Sequence, residues 1–433
     1  MPERFIVEPG GRLGGRLQIP GDKSISHRAV MLGSIADGTT EVTGCLLGDD
    51  IRATIAAFRA FGVPITEHAD GRLTITGRGF AGLTTPAGQL DMGNSGTSMR
   101  LLAGLLAGSG FEVVLTGDQS LRRRPMRRIT EPLTLMGARI ESDDGMPPLR
   151  IAPPSYLRAI RYRLPVASAQ VKSAILLAGL QAEGRTAVVE PVPTRDHTER
   201  MLQAFGAELE IASGEISIEG GQGLAATAIT VPADLSSAAF FLVGAAMVEG
   251  SELLVQGVGV NPTRTGAIQI LRQMGGDIVL SNERFAGSEP VADIHVRGSR
   301  LHGVDIRSDL VPIAIDEFPA LFIAAACAEG TTRLVGAAEL RHKESDRIAA
   351  MAAGLRILGT KVSTSTDGIE IIGNPAGFGG GSVDSRGDHR VAMAFAVAAV
   401  RAREPIEVID CAAIGTSFPG FLETARKAGL NLS

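Results

Sequence analysis

An apolar helix pattern that recurs six times along the chain constrains the fold more than any other feature of the sequence. Six alanine-rich apolar stretches occur in the 433 residues, and each follows polar residues of the type that cap helices. Most are followed by a break and then by a β-like run, which predicts a buried helix leading into a strand. The six stretches are residues 27–35, 97–107, 171–180, 236–247, 318–328 and 391–400.

A second pattern, in which an amphipathic helix ends at a glycine before a strand, interleaves with the first. The glycines are separated by 75, 69, 69, 84 and 70 residues, an interval regular enough to indicate a true internal repeat. Each is predicted to adopt the left-handed conformation that ends many helices. They are Gly62, Gly137, Gly206, Gly275, Gly359 and Gly429.

A third element, a short alternating strand, follows the first five glycines but not the last. The strand predicted at residues 16–19 is expected to complete the sixth repeat. The repeats then divide into two α/β domains of three each, one continuous (21–234) and one discontinuous (1–20 plus 235–433). The chain crosses between them twice, near residue 20 and near residues 231–234.

Composition narrows the possible functions. The formal net charge is −5 and the chain contains no Trp and two Tyr, which disfavours a globally basic or base-stacking nucleic-acid binder. Five arginines within residues 122–128 nevertheless keep a nucleic-acid-binding repeat protein open as an alternative. Three cysteines without paired spacing indicate neither a disulfide framework nor a zinc site. The longest apolar run is too short to span a membrane, so a cytoplasmic protein is expected.

Residues suited to bind anions cluster where the apolar helices begin. Singly, each is more commonly a helix cap or part of a solvated face. Together they predict phosphate and carboxylate pockets, because helix N-termini carry free N–H groups and a partial positive charge. They include Lys23, Ser24, Arg28, Asn94, Gly96, Arg100, Ser168, Gln170, Lys172, Asp388, His389 and Arg390, with the acidic Asp316 and Glu317 before the fifth helix.

Several motifs give the chain a specific resemblance over its whole length. They are residues 21–28 (GDKSISHR), 93–100 (GNSGTSMR), 124–126 (RPM), 168–172 (SAQVK), 343–347 (KESDR) and 388–390 (DHR). In this order they resemble the 5-enolpyruvylshikimate-3-phosphate synthase family, also called 3-phosphoshikimate 1-carboxyvinyltransferase. The resemblance implies two inside-out α/β barrels, each of three βαβαββ units, with the active site in the cleft between them.

The resemblance also implies a reaction of the shikimate pathway, which leads to chorismate and the aromatic amino acids. The enolpyruvyl group of phosphoenolpyruvate passes to the 5-hydroxyl of shikimate 3-phosphate, and phosphate is released. By motif position, shikimate 3-phosphate is expected to contact Lys23, Ser24, Arg28, Ser168, Ala169, Gln170, Arg195, Asp316 and Lys343. Phosphoenolpyruvate is expected to contact Lys23, Gly96, Arg124, Gln170, Glu344, Arg347 and Arg390.

The same resemblance assigns the chemistry. Asp316 is the expected base at the 5-hydroxyl, Glu344 is expected to exchange the C3 proton, and Lys23 to assist proton transfer and phosphate departure. No metal or organic cofactor is required, a monomer is expected, and glyphosate is a possible inhibitor competing with phosphoenolpyruvate. In one departure from the family pattern, Thr416 occupies a position where many relatives have a lysine.

The nearest alternative within this fold is the enzyme that transfers enolpyruvyl to UDP-N-acetylglucosamine. That enzyme uses a cysteine in a mobile loop of its first half. The corresponding loop here, residues 118–128, contains no cysteine. The sequence therefore favours the shikimate enzyme.

Overall fold

Helices and strands alternate along the chain. The structure is a computed structural model and describes residues 2–432. Within that range there are thirteen α-helices, five short 3-10 helices and six β-sheets, which confirms the predicted α/β class. The contacts divide the chain into two compact units. One is Lys23–Val231, and the other consists of the residues up to Asp22 and from Pro232 onward.

The sheets of the Lys23–Val231 unit share one plan. A central strand pairs in parallel with one neighbour and antiparallel with the other. That second neighbour also pairs antiparallel with a strand at the edge of the sheet. In spatial order the described strands are Ala228–Thr230, Thr39–Thr43, Leu73–Thr76 and Ile65–Glu67; Leu90–Asp91, Val113–Thr116, Met146–Ala152 and Arg139–Asp143; and Arg161–Arg163, Arg185–Val189, Glu215–Glu219 and Leu209–Ala212.

Three of the α-helices in this unit are strongly apolar. The helices Lys23–Ile35, Gly96–Leu105 and Ala169–Gly179 are the apolar ones, and most of their residues are buried. The last two begin where Ser95 and Ser168 accept hydrogen bonds from the backbone of the first turn, as N-cap residues do. The remaining described helices of this unit are Asp49–Ala60, Arg127–Leu135, His197–Ala204 and the 3-10 turn Leu121–Arg123.

The other unit has seven α-helices among its described residues, and its four-stranded sheet follows the same plan. Its two three-stranded sheets show only part of that plan, one being antiparallel throughout and the other lacking the second antiparallel strand. Its sheets comprise Asp277–Ala286, Glu289–Arg297, Glu252–Gly259 and Gly14–Leu17; Thr331–Leu334, Ile369–Ile372 and Lys361–Thr364; and Arg4–Val7, Ile406–Ile409 and Gly381–Asp384. Its α-helices are Leu235–Ala246, Gly266–Gln273, Val311–Ala314, Phe318–Cys327, Arg347–Ile357, His389–Ala398 and Phe421–Ala428. Its 3-10 helices are Ser308–Leu310, Ala338–His342, Ala399–Arg401 and Ala412–Thr416.

The N-terminal segment supplies strands to two different sheets. Arg4–Val7 pairs antiparallel with Ile406–Ile409, whereas Gly14–Leu17 pairs in parallel with Glu252–Gly259. The prediction that residues 16–19 complete the last repeat is therefore wrong. Ile406–Ile409 already has a parallel neighbour and needs an antiparallel one, which Arg4–Val7 provides by burying Phe5 and Val7.

The repeated glycines end their helices as predicted. All six have a positive φ, between 84° and 110°, the left-handed region that side chains with a Cβ rarely adopt. At Gly206 an added Cβ would meet no atom within 4 Å, so backbone conformation alone calls for glycine there. The helix-ending prediction is thus confirmed at Gly62, Gly137, Gly206, Gly275, Gly359 and Gly429.

Candidate active site

The first apolar helix begins with charged side chains held by neighbouring elements. Lys23 starts the helix, and its ammonium forms an ion pair with the buried carboxylate of Asp50. Arg28, one turn further on, is buried and donates from Nε to Thr198 Oγ1 at 2.7 Å and from Nη2 to Ser173 Oγ at 3.0 Å. Its Nη1 donates to the Ser24 carbonyl at 2.9 Å, so three of the predicted ligands lie within the first six residues of this helix.

The second apolar helix brings the predicted phosphoenolpyruvate ligands of this unit together. An ideal Cβ on Gly96 would lie 2.7 Å from Arg100 Nη1 and 3.2 Å from Arg124 Nη1. Arg100 Nη1 also donates to Gln170 Oε1 at 2.8 Å. Gly96 therefore lies beside the guanidinium groups of Arg100 and Arg124. Gln170 is hydrogen-bonded to Arg100, a residue to which the motifs assign no substrate.

Arg124 is the buried member of the arginine run. It is 6% exposed, and its Nη2 donates to Asn94 Oδ1 at 2.5 Å and to Ser120 Oγ at 3.2 Å. Of the other arginines in the run, Arg122, Arg123 and Arg127 are exposed and Arg128 is half-buried. Arg124 is thus the member of the run that lies beside Gly96.

The third apolar helix differs from the expectation at one residue. Ser168 is its N-cap, Ala169 and Gln170 form its first turn, and all three are half-buried. Lys172 was predicted to add a cation to an anion pocket, but its side chain is 1% exposed and faces Glu190 and Glu199. That expectation is wrong for Lys172, because two buried carboxylates draw its ammonium into the interior.

In the other unit, one buried arginine organises the acidic residues. Arg347, the first residue of its helix, is 1% exposed. Its Nε donates to Asp388 Oδ2 at 2.9 Å, its Nη1 to Asp316 Oδ1 at 3.2 Å and its Nη2 to Glu344 Oε2 at 2.5 Å. The two predicted acid–base carboxylates, Asp316 and Glu344, therefore lie against a single guanidinium.

Two further cations face Asp316. Lys343 Nζ lies 3.6 Å from Asp316 Oδ1, and Arg390 Nη1 donates to the Asp316 carbonyl at 3.0 Å. Asp316 does not cap the fifth apolar helix as predicted, since Glu317 occupies the N-cap position and makes no side-chain capping bond. The Asp316 carboxylate is turned to the cations instead, and at 14% exposure it still reaches the surface.

The charges of this cluster are strongly coupled. Burial disfavours the charged form of both Arg347 and Asp388, but their mutual attraction outweighs it. The pKa of Arg347 is raised, with Glu344 and Asp316 adding to the effect, and the pKa of Asp388 is held below its usual value. Arg347 is thus a fixed positive charge beneath two carboxylates that remain open to a ligand.

Three contributions were not assigned from the sequence. Asp50, which pairs with Lys23, looks in the sequence like an acidic residue that favours a helix start. Thr198 looks like part of an ordinary first helical turn. Arg264 is buried and donates to Asp22 Oδ2 at 2.8 Å and lies 3.3 Å from Asp234 Oδ1. No local pattern reveals such partners, because they lie far apart in the chain.

Other expectations concern single residues or absences. Thr416 ends the 3-10 helix Ala412–Thr416, and its hydroxyl donates to the Ala413 carbonyl at 2.7 Å. Across residues 2–432, no group of three or more His, Cys, Asp or Glu side chains is placed to hold a metal. Within the same range, no helix is both long and apolar enough to cross a membrane.

Helix N-termini lined with lysine and arginine in one unit, and two carboxylates on one guanidinium in the other, are typical of enzymes that act on small anionic substrates. The profile of the EPSP synthase (3-phosphoshikimate 1-carboxyvinyltransferase) family matches residues 7–425. The chain therefore belongs to this family, which confirms the resemblance carried by the motifs.

Similar proteins agree in name and extent. The chain is 60% identical to the 3-phosphoshikimate 1-carboxyvinyltransferase of Halorhodospira halophila, covering 99% of this chain and 97% of that one. It is also 60% identical to the protein of that name from Alkalilimnicola ehrlichii, with 99% and 96% covered. The solved EPSP synthase of Acinetobacter baumannii is similar with a TM-score of 0.88, 54% identity and 100% and 99% coverage.

Proposed function

We propose that this chain transfers the enolpyruvyl group of phosphoenolpyruvate to the 5-hydroxyl of shikimate 3-phosphate and releases phosphate. The reaction belongs to the shikimate pathway of aromatic amino-acid biosynthesis. The observation that carries the proposal is the pair of carboxylates, Asp316 and Glu344, held on the Arg347 guanidinium. Membership of the EPSP synthase family supports it independently.

Shikimate 3-phosphate needs both cations and neutral hydrogen-bond donors. In the Lys23–Val231 unit we assign its phosphate and hydroxyl groups to Lys23, Ser24, Arg28, Ser168, Ala169, Gln170 and Arg195, which lie at helix starts or in the loop before one. Arginine suits the phosphate because its planar fork can grip two oxygens. From the other unit, Lys343 supplies a further cation and Asp316 a carboxylate for the 5-hydroxyl.

Phosphoenolpyruvate carries a phosphate and a carboxylate, so its site must be strongly cationic. We assign Lys23, Gly96, Arg124 and Gln170 from one unit and Glu344, Arg347 and Arg390 from the other. Gly96 leaves space beside two guanidinium groups, where an anion would be bound without a side chain in the way. The assignment requires both units to contribute to the same substrates.

The chemistry is an addition followed by an elimination. Asp316 takes the proton of the 5-hydroxyl as its oxygen adds to C2 of phosphoenolpyruvate, while Glu344 gives a proton to C3. The phosphate then leaves with its electron pair, assisted by Lys23, and Glu344 recovers the C3 proton. Such acid–base groups contribute roughly 10²–10⁴-fold to rate.

The finer structural assignments belong with this proposal. We infer two inside-out α/β barrels, each of three βαβαββ repeats, with domains 21–234 and 1–20 plus 235–433. The sheet plan shared by the three sheets of the Lys23–Val231 unit and by the four-stranded sheet of the other unit supports the repeat assignment. We also expect a cytoplasmic monomer that glyphosate inhibits by competing with phosphoenolpyruvate.

A coupled assay of phosphate release tests the function. The wild-type chain should release phosphate only when shikimate 3-phosphate and phosphoenolpyruvate are both present. Replacing shikimate 3-phosphate by UDP-N-acetylglucosamine should give none. Release with the sugar nucleotide, or salt-sensitive nucleic-acid binding with no release, would overturn the proposal in favour of one of the two alternatives.

A further inference from the structure

The buried ammonium of Lys172 lies among groups from both ends of one loop. Its Nζ is 3.1 Å from Glu190 Oε2, directly after the strand Arg185–Val189, and 2.6 Å from Glu199 Oε1, in the first turn of His197–Ala204. It also donates to the Thr194 carbonyl, within the loop, at 3.4 Å. One side chain therefore ties the beginning, middle and end of residues 190–199 together.

We propose that Lys172 is a positioning residue that fixes the loop carrying Arg195 and thereby sets the affinity for shikimate 3-phosphate. The inference rests on the proposed function and deepens it. The Lys172 side chain is 1% exposed, so we assign it no direct contact with the substrate.

The contacts around Lys172 lead directly to the assigned ligands. Arg195 directly follows Thr194 in the chain. The Thr194 carbonyl accepts a hydrogen bond from Lys172, and the Thr194 hydroxyl donates one to Glu190. Thr198, the neighbour of Glu199, accepts the Nε–H of Arg28 at 2.7 Å.

Lys172 itself belongs to the first turn that presents two more of those ligands. Its backbone N–H donates to the Ser168 carbonyl at 3.1 Å, and Gln170 lies between the two residues in the chain. Displacing the Lys172 side chain would thus disturb the loop relative to this helix start, and with it the spacing among Ser168, Gln170 and Arg195.

A purely stabilising role explains the cluster poorly. Glu199 is 2% and Glu190 6% exposed at the side chain, and desolvating such charges often cancels the gain from pairing them. Apolar residues of similar size commonly stabilise a fold as well or better. Ionic contacts differ in having fixed partners and distances, which suits a loop whose arginine must meet a phosphate.

The decisive measurement is calorimetric titration of wild type and Lys172→Met with shikimate 3-phosphate. We expect the dissociation constant of Lys172→Met to rise about 10–100-fold, the range that a small misplacement of positioning groups can produce. The KM for phosphoenolpyruvate at saturating shikimate 3-phosphate should rise less than this, because Gln170 is the one displaced residue that is also assigned to phosphoenolpyruvate. Both values should change less than about threefold for the exposed-lysine control Lys361→Met. Lys172→Arg, which keeps the charge, should recover most of the affinity.

Amide hydrogen exchange gives a second readout that needs no substrate. Residues 190–198 should exchange faster in Lys172→Met than in wild type, while the strand Val113–Thr116 should be unchanged. If Lys172→Met does not fold, Glu199→Gln replaces it, with the same two readouts and the same direction expected. A folded variant with wild-type affinity and wild-type exchange overturns the inference. Failure of wild type itself to bind shikimate 3-phosphate would instead overturn the proposed function, while the exchange experiment would still test the loop.

Discussion

Replacing Arg347 by methionine should destabilise its unit severely, because the substitution removes one cation from three carboxylates. The guanidinium is 1% exposed and contacts Asp388, Asp316 and Glu344. Asp388 suffers most, since its side chain is 0% exposed and has no water to replace the lost partner. Asp316 and Glu344, at 14% and 22% exposure, can recover part of their solvation.

The expected size follows from the burial of Asp388. Removing one member of a buried ion pair typically costs about 3–5 kcal/mol, because the other charge is left uncompensated. For a unit of roughly two hundred residues, 1 kcal/mol shifts the midpoint of thermal unfolding by about 2–4 °C. Arg347→Met should therefore lower the midpoint by about 6–20 °C.

Differential scanning calorimetry measures this shift, with Arg356→Met as the matched control. Arg356 lies on the same helix but is exposed, and its Nη2 donates only to the Val362 carbonyl at 2.9 Å. The control should stay within about 2 °C of wild type. If Arg347→Met did too, the cluster would contribute little to folding and the reasoning would be refuted.

The deficit should also depend on pH. In wild type the pKa of Asp388 lies below its usual value, so its contribution to stability is present at neutral pH and lost only as pH falls through that low pKa. Without Arg347, burial and the nearby Glu344 charge are no longer offset by that guanidinium and should raise the pKa of Asp388, which makes ionised Asp388 unfavourable once pH exceeds the unfolded value of about 3.9. The difference in midpoint should accordingly narrow as the pH is lowered from about 7.5 to about 5.

The remaining predictions concern chemistry, selectivity and backbone conformation. Glu344→Gln should lower kcat by about 10²–10⁴-fold with little change in substrate affinity, and near-normal turnover in steady-state kinetics would exclude it as the proton carrier. Lys23→Met should lower kcat and weaken both substrates in the same assay, since the lysine is assigned to binding and to proton transfer. Gly96→Ala should weaken glyphosate more than phosphoenolpyruvate, because the added methyl takes up space beside Arg100 and Arg124 that the longer inhibitor needs, and overpacking typically costs about 1–3 kcal/mol; equal inhibition of both proteins at matched phosphoenolpyruvate would contradict this. Gly206→Ala should cost about 1–2 kcal/mol through its φ of 88° alone, and a calorimetric midpoint equal to that of wild type would show that the backbone relaxes.

Local features of the fold were accessible from the sequence. Capping serines such as Ser95 and helix-ending glycines such as Gly206 act through backbone groups a few residues away, so a short stretch of sequence is enough to predict their effect. The same reasoning predicted the apolar helices, because continuous burial leaves a continuous apolar stretch.

Features that depend on distant partners were not accessible. Arg4–Val7 has only two buried side chains, and nothing near it indicates that its partner is Ile406–Ile409. Lys172 and Asp316 each occupy a helix start, yet one faces buried carboxylates and the other faces cations supplied by different segments. The roles assigned to individual residues came from the family motifs rather than from spacing.

The pairing of Arg4 with Ile409 has a consequence for how the chain is made. Residues 4–7 cannot pair with this partner until roughly four hundred further residues have left the ribosome, which takes about 20–80 s at ordinary elongation rates. The Lys23–Val231 unit needs no residue beyond 231, so it can fold while translation continues. During cotranslational folding the Lys23–Val231 unit should therefore form first, while Arg4–Val7 stays unpaired and exposed to chaperones until Ile406–Ile409 has been synthesised.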